Sequence, residues 1–189
     1  MAQYYFAIAA LPQLFFDSEA FPSSVELMAF CREHVNAREI GFLERAAKAL
    51  ADDIQDDNLH TLDDFRLWLK WDLSLRSDLA VLRAQALGWE IEQYQETPRE
   101  LGTFEIAREA MMQASPHEGE EIIDRARWKY LDELEVGHYF DIEKLLIYLL
   151  KVAILERRSQ FTQDGGTASF QETYNEIAGD LEEALEIAQ

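Results

Sequence analysis

The chain has 189 residues, and its 17 Lys and Arg against 37 Asp and Glu give a formal net charge of −20 at pH 7. This negative excess argues against binding to nucleic acid or to anionic lipid headgroups, because both attract Lys and Arg. Hydrophobic residues still make up 48% of the chain, whereas only 8 Gly and 4 Pro are available for turns. An all-α fold of about six or seven helices in a bundle-like arrangement is therefore predicted. We expect one domain over residues 1–189, with a two-lobe division near residues 95–115 as the alternative.

The N-terminal sequence MAQYYFAIAALPQLFF is apolar, but we do not expect it to be a signal peptide. No Lys or Arg precedes the apolar residues, and Pro12 and Asp17 interrupt them. We expect this stretch to be tucked into the core, with residues 4–11 as either a strand or a short buried helix. Cys31 is the single cysteine and cannot form an internal disulfide, which favours a reducing compartment.

Helix starts are marked by Ser, Thr or Asn with an acidic residue three positions later, the pattern of a capped N-terminus. The pattern occurs at Ser23–Glu26, Asn36–Glu39, Thr61–Asp64, Thr97–Glu100, Ser115–Glu118 and Ser169–Glu172. Proline at the first helical position strengthens the starts at Thr97 and Ser115. The first three helices are expected to end near Val35, Ile54 and Tyr94, and a flexible turn is expected at residues 162–167.

Apolar residues recur at helical spacing in two of these predicted helices. The face of the long third helix comprises Phe65, Trp68, Leu75, Leu79, Leu82 and Ala86, and that of the fifth comprises Ile122, Ala126, Tyr130 and Leu134. Trp68 and Trp71 are expected to be core residues, with an exposed partner-binding patch as the alternative.

Motifs that could support chemistry are incomplete. Glu135 and His138 have the Glu-x-x-His spacing of helical di-metal proteins, but the approximate second copy, Asp57–His60, lies in a predicted loop. We interpret Glu135–His138 as a helix end, with His138 near the last carbonyls. Cys31, three residues from His34, is interpreted as a buried structural thiol, and the acidic run at residues 52–57 as solvated. We predict no catalytic, cofactor-binding or metal-binding residue.

Residues 140–158, FDIEKLLIYLLKVAILERR, contain six consecutive apolar residues between Lys144 and Lys151. A membrane span needs about 20 apolar residues, so this stretch is too short to cross a bilayer. Its apolar positions cover more than one helical face, which is typical of a helix buried on several sides. A core helix, completed in part by a partner, is the prediction.

Two stretches resemble a known family. MAQYYFAIAALPQL, residues 1–14, is similar to the opening of small acidic proteins encoded beside V-type ATPase genes in some bacteria. WKYLDELEVGHYFDIEKLLIYLLKVAILER, residues 128–157, is similar to their C-terminal block, whereas residues 40–115 add only length and helical character. That family is uncharacterised, and its genomic setting implies an accessory or rotor role.

The second stretch also resembles the end of a V-type ATPase central-stalk family, whose members form the helical funnel at the foot of the stalk. The residues that fit its pattern are Leu145, Leu146, Tyr148, Leu149, Leu150, Lys151 and Arg157. The family usually has a glutamate soon after the lysine, where this chain has Val152, Ala153 and Ile154, and this chain is much shorter than the funnel proteins. The resemblance implies a funnel-like fold and a coupling role like that of the funnel proteins.

The function implied by the resemblance is that of a non-catalytic component that joins the soluble rotor shaft to the membrane proteolipid ring or assists assembly. The expected partners are the rotor shaft subunits and the ring loops, with weak self-association and without nucleic acid, cofactor or membrane insertion. The protein would be cytoplasmic and peripheral to the membrane. The candidate partner-binding residues are Trp89, Tyr94, Tyr139, Arg157 and Arg158. The alternatives are an all-helical chaperone for redox enzymes and, third, a helical metal-carboxylate enzyme.

Overall fold

Every regular element in the described part of the chain is an α-helix. The computed structural model describes residues 2–52, 62–89 and 99–160. These residues form α1 (Ala2–Ala10), α2 (Ser24–His34), α3 (Ala37–Asp52), α4 (Asp63–Leu87), α5 (Thr103–Met111), α6 (Pro116–Leu134) and α7 (Ile142–Gln160). The predicted all-α fold is confirmed, and residues 4–11 lie in a helix instead of a strand up to Ala10.

The chain divides into two compact units, Met1–Ile154 and Leu155–Gln189. The first unit contains α1 to α6 and most of α7. The described residues of the second unit, Leu155–Gln160, are the end of α7. The predicted division near residues 95–115 stays a prediction.

Two of the predicted helix starts are complete capping boxes. Ser23 Oγ accepts a hydrogen bond from the Glu26 amide at 3.2 Å, and Glu26 Oε2 accepts one from the Ser23 amide at 2.9 Å. Ser115 and Glu118 form the same pair of bonds at the start of α6, each 3.2 Å long. Each box satisfies two amides that a helix N-terminus would otherwise leave without a partner. The predicted caps at Thr61, Thr97 and Ser169 lie outside the described residues.

The long helix α4 ends at Leu87, seven residues before the predicted end at Tyr94. Gly88 adopts a left-handed conformation with φ of 71°, which glycine reaches without a steric penalty. The Trp89 amide donates to the Ala84 carbonyl at 2.9 Å and the Gly88 amide to the Gln85 carbonyl at 3.2 Å. This pair of bonds is a Schellman motif, and it stops the helix where apolar spacing alone indicated continuation.

The helix predicted to start at Thr97 begins instead at Thr103, because contacts with α4 fix the preceding backbone in a different path. Ser74 Oγ accepts from the Glu100 amide at 2.8 Å, and Arg99 Nε donates to Asp78 Oδ1 at 2.7 Å. Gly102 then takes a φ of 86° immediately before α5. The Thr103 hydroxyl donates to Asp78 Oδ2 at 2.7 Å, so one buried carboxylate anchors both the segment and the helix.

The hydrophobic core of the first unit is built from α4, α5 and α6. Its buried members include Trp71, Leu75, Leu79, Ala107, Ala110 and Ile123. Trp71 also stacks on Tyr130, with ring centroids 4.6 Å apart. The predicted face of α4 is confirmed at Phe65, Trp68, Leu75 and Leu79, whereas Leu82 is half-buried and Ala86 is exposed. Trp68 and Trp71 are core residues, as predicted.

The predicted face of α6 is only half-buried, and the fully buried side chains lie beside it at Ile123, Trp128 and Leu131. The reason is that α6 is covered on a second side. Ile123 joins the core with α4 and α5, whereas Trp128 packs against Phe16 in the segment after α1. Spacing within one helix cannot show that two separate surfaces cover it.

The apolar run of α7 is buried, as predicted. All six residues from Leu145 to Leu150 are nearly inaccessible to solvent. By contrast, the prediction that the N-terminal stretch is tucked into the core is wrong for much of α1, where Ala7 is fully buried but Tyr5 and Phe6 are exposed. A short helix on the surface can bury only one side. Among the described residues, no helix combines the length and the apolar character needed to cross a bilayer.

Candidate functional site

An open groove of about 710 Å³ lies within the first unit, between the segment at residues 11–16, the C-terminal end of α6 and the first half of α7. Ile8 at the end of α1 closes one side, and the turn between α6 and α7 forms another. The lining is mixed, with aliphatic and aromatic residues around a charged floor. We call this feature the groove.

The segment at residues 11–16 is one wall of the groove, and it is fixed by contacts with α6 and α7. The Tyr148 hydroxyl donates to the Pro12 carbonyl at 2.9 Å. Burial raises the pKa of Tyr148 to about 12, so the hydroxyl keeps its proton at neutral pH. Phe16 packs edge to face on Trp128, with centroids 5.8 Å apart, and the Arg125 guanidinium lies 4.3 Å from the centre of the Phe16 ring.

The floor of the groove contains two lysines that are already paired with carboxylates. Lys151 is buried and contacts Asp132 Oδ1 at 2.6 Å and Glu135, and its ammonium lies 5.4 Å from the Trp128 ring centre. Lys144 pairs with the other oxygen of Glu135. Burial, together with the positive charge of Lys151, lowers the pKa of Lys144. Glu135 therefore bridges two cations, which is the contact that makes burial of Lys151 tolerable.

His138 lies at the edge of the groove within a cluster of acidic residues. Its Nε2 is 2.7 Å from Asp64 Oδ2 at the start of α4, and its Nδ1 is 2.8 Å from Asp141 Oδ2. Burial opposes a charge on the ring, but the hydrogen bond with Asp141 and the charges of Asp141, Asp64 and Glu143 outweigh it and raise the pKa of His138. Burial, then the nearby Asp64 carboxylate, raises the pKa of Glu143 to about 7. The cluster thus holds an imidazolium between helices that are distant in sequence.

Exposed hydrophobic side chains surround the opening of the groove. Phe15 is 60% exposed, Val136 is 80% exposed and Tyr139 is 71% exposed, and all three line the groove. Phe140, next to Tyr139, packs on Tyr5 of α1 with ring centroids 4.8 Å apart. The apolar surface therefore extends from the groove onto α1. We call Phe15, Val136 and Tyr139 the rim.

The structure places the five predicted partner-binding residues in different locations. Tyr139 lines the groove. Trp89 is exposed just beyond the end of α4 and is not part of the groove. Tyr94 lies outside the described residues. Arg157 and Arg158 belong to the second unit, where their side chains are half-buried.

Sequence reasoning missed Phe15, Val136 and the paired floor lysines as parts of one site. Lys144 and Lys151 entered the prediction only as the ends of an apolar run. A lysine seven residues after another lies nearly on the same side of a helix, so this spacing was an available signal that both could face one cavity. Phe15 carried no comparable signal, because its exposure depends on Phe16 being the residue that turns inward to Trp128.

The remaining chemical motifs are engaged in packing. Cys31 is buried, and burial raises its thiol pKa to about 11, as expected for a structural thiol. The His34 ring packs on Phe6 and Phe30 with centroids 4.9 and 4.6 Å away. α6 ends before Glu135, and the His138 ring pairs with carboxylates and not with helix carbonyls, so that part of the interpretation is wrong.

The described residues contain no candidate metal centre. No group of three or more His, Cys, Asp and Glu side chains among them could hold a metal ion. Asp57–His60, the approximate second copy of the Glu-x-x-His spacing, lies outside the described residues.

Comparison with known families bears on part of the groove. Residues 98–181 match the family described as a protein of unknown function (DUF2764). The match spans less than half of the chain and includes α5, α6 and α7, so it covers the floor lysines and Tyr139 but not the wall at residues 11–16. Comparisons with curated proteins and with solved structures found no match.

Proposed function

We propose that this protein is a non-catalytic, protein-binding component of a V-type ATPase, similar in role to the funnel proteins of the central stalk. It would join the soluble rotor shaft to the proteolipid ring or assist their assembly, from the cytoplasmic side and without entering the membrane. Its partners would be the rotor shaft subunits and the loops of the ring. Any hydrolysis of ATP would belong to other subunits.

The observation that supports this proposal is that the two stretches resembling the V-type ATPase-associated proteins meet in space. Residues 1–14 and 128–157 are far apart in sequence, yet they form opposite sides of the groove. The bond between Tyr148 and Pro12 and the packing of Tyr5 on Phe140 join them directly. Two chance similarities would have no reason to form one surface, whereas a shared binding surface would require it.

The chemistry of the groove also favours binding over catalysis. Its floor charges are mutually paired, and its rim offers exposed hydrophobic area. Exposed apolar and aromatic side chains are typical of surfaces that dock another protein. At a net charge of −20, the protein would attract partners with basic surfaces and associate with them faster at low salt.

Affinity purification of the tagged full chain from its native host tests the proposal. We expect rotor shaft and proteolipid ring subunits to be recovered with the bait and to be absent from an untagged strain. The association rate with the purified rotor shaft should fall as ionic strength rises to about 0.5 M, where electrostatic interactions reach only a few ångströms. Recovery of apo redox enzymes in place of ATPase subunits would overturn the proposal in favour of the chaperone alternative. An association rate independent of salt would show that the acidic surface serves only solubility.

A further inference from the structure

The groove has the chemistry of a docking site for a particular kind of peptide. We propose that it binds an amphipathic helix of another protein, whose apolar face meets the rim and whose flanking Lys or Arg side chains meet the surrounding carboxylates. This inference rests on the proposed protein-binding function and adds the chemistry of the segment that is bound.

The apolar half of the argument is the exposure of the rim. Phe15, Val136 and Tyr139 lie on three sides of the opening and leave most of their surface in water. Their neighbours Phe16 and Tyr148 are buried, so the rim residues are held on a fixed support. Covering such side chains is favourable by about 25 cal/mol for each Å² of apolar surface removed from water.

Charge identifies the rest of the partner. The stretches at residues 11–19 and 129–151 carry seven carboxylates against three lysines. The two lysines on the groove floor are already paired with Asp132 and Glu135, and residues 2–19 contain no Lys, Arg or His. The surroundings of the groove are therefore acidic, and an acidic partner would be repelled. Basic residues next to the apolar contacts complete the match.

A helix is the form of partner that the groove favours. No strand occurs in the described part of the chain, so those residues offer no sheet edge on which an extended peptide could add a strand. The groove is instead bounded by helix ends and a turn, and its contacts would be made by side chains. Apolar residues at spacings of three and four on a partner helix would present such side chains along one face.

A synthetic peptide can test the inference with the purified full chain. The probe is a fluorescein-labelled peptide of about 18 residues, with Leu at helical spacings of three and four and Lys elsewhere. The controls are a scrambled peptide of the same composition and a version with Glu in place of Lys. We expect fluorescence anisotropy to show binding of the first peptide only, with an affinity that falls as salt is raised.

Matched variants locate the binding. Phe15→Ser and Val136→Ser should each weaken binding by about tenfold, as loss of an apolar anchor does at other interfaces. Leu101→Ser is the control, because Leu101 is 99% exposed but lies outside the groove, and it should bind as the unmodified chain does. All three side chains are largely exposed, so melting temperatures should remain unchanged. The inference is overturned if the scrambled peptide binds equally, if the first peptide does not bind, or if neither rim variant weakens binding.

The outcomes also separate this inference from the proposed function. If the peptide binds at the rim but no ATPase subunit is recovered from the host, the groove is a helix-binding site and the proposed function fails. If the subunits are recovered equally by the unmodified chain and by the rim variants, the proposed function stands and the groove is not the docking site.

Discussion

Gly119 in α6 lies against the backbone of α5, and replacing it with Ala should destabilise the protein. A Cβ atom at Gly119 would stand 2.8 Å from the Ala110 carbonyl oxygen, which is too close for a carbon–oxygen contact. The obstacle is backbone, so relief requires α5 and α6 to move apart in the middle of the core. Overpacking of this kind costs about 1–3 kcal/mol.

Gly41 in α3 provides the matched control, because the same substitution there meets no backbone. Its added Cβ would lie 3.6 Å from the Arg45 guanidinium, an ordinary contact with a flexible side chain. Ala is favoured over Gly in a helix interior by about 1 kcal/mol, so Gly41→Ala should stabilise the protein by up to that amount. At Gly119 the same gain is offset by the clash, which leaves a net loss of up to about 2 kcal/mol.

Differential scanning calorimetry on the full chain measures both effects. A change of 1 kcal/mol shifts the melting temperature by about 2–4 °C in a protein of this size. We therefore expect Gly41→Ala to raise the melting temperature by up to about 4 °C and Gly119→Ala to lower it by up to about 8 °C. If Gly119→Ala is as stable as Gly41→Ala, the close packing of α5 on α6 is incorrect.

Three further predictions concern the core and the buried polar groups. Leu146, 1% exposed, should cost about 2–5 kcal/mol of unfolding free energy when replaced by Ala, whereas Leu67→Ala, at a site 43% exposed, should cost less than half of that; equal losses in urea titrations would contradict the burial of α7. Folding raises the pKa of both His138 and Glu143, so both contribute stability that is present at low pH and is lost as pH rises, for Glu143 between 4.5 and about 7 and for His138 above 6.5. Unfolding free energies measured from pH 5 to 8 should therefore fall, and Glu143→Gln should flatten the decline; an unchanged slope would exclude this cluster as its source. Asp78→Ala should cost about 1–3 kcal/mol because it removes the acceptor of the buried Thr103 hydroxyl, and an unchanged urea midpoint would show that this network is dispensable.

The fold was predictable where the information is local. A capping box needs only residues that are three apart, so the starts of α2 and α6 could be placed from Ser23 and Ser115 alone. The six-residue apolar run between Lys144 and Lys151 likewise indicated burial without any knowledge of its neighbours. Prediction failed at the start of α5, where Ser74 and Asp78 of α4 fix the backbone from outside the helix.

The site was much less predictable, because its residues acquire their roles through contacts between distant parts of the chain. His138 looked like half of a metal motif or a helix cap, and only the fold brings Asp64 to its second nitrogen. Glu135 bridges Lys144 and Lys151, a contact that requires the turn between α6 and α7 to bring the two helices together. Of the predicted partner-binding residues, Tyr139 was found in the groove because an exposed aromatic in a turn is a local signal.

The hydrogen bond between Tyr148 and Pro12 joins residues 136 positions apart, and this separation matters during synthesis. A ribosome adds about 5–20 residues per second, so roughly 7–27 s pass between the appearance of residue 12 and that of its partner. During this interval Phe15 and Phe16 have neither α6 nor α7 to cover them. The earliest part of the nascent chain is thus among the last to reach its native contacts, and slow codons before α7 would prolong its exposure to aggregation.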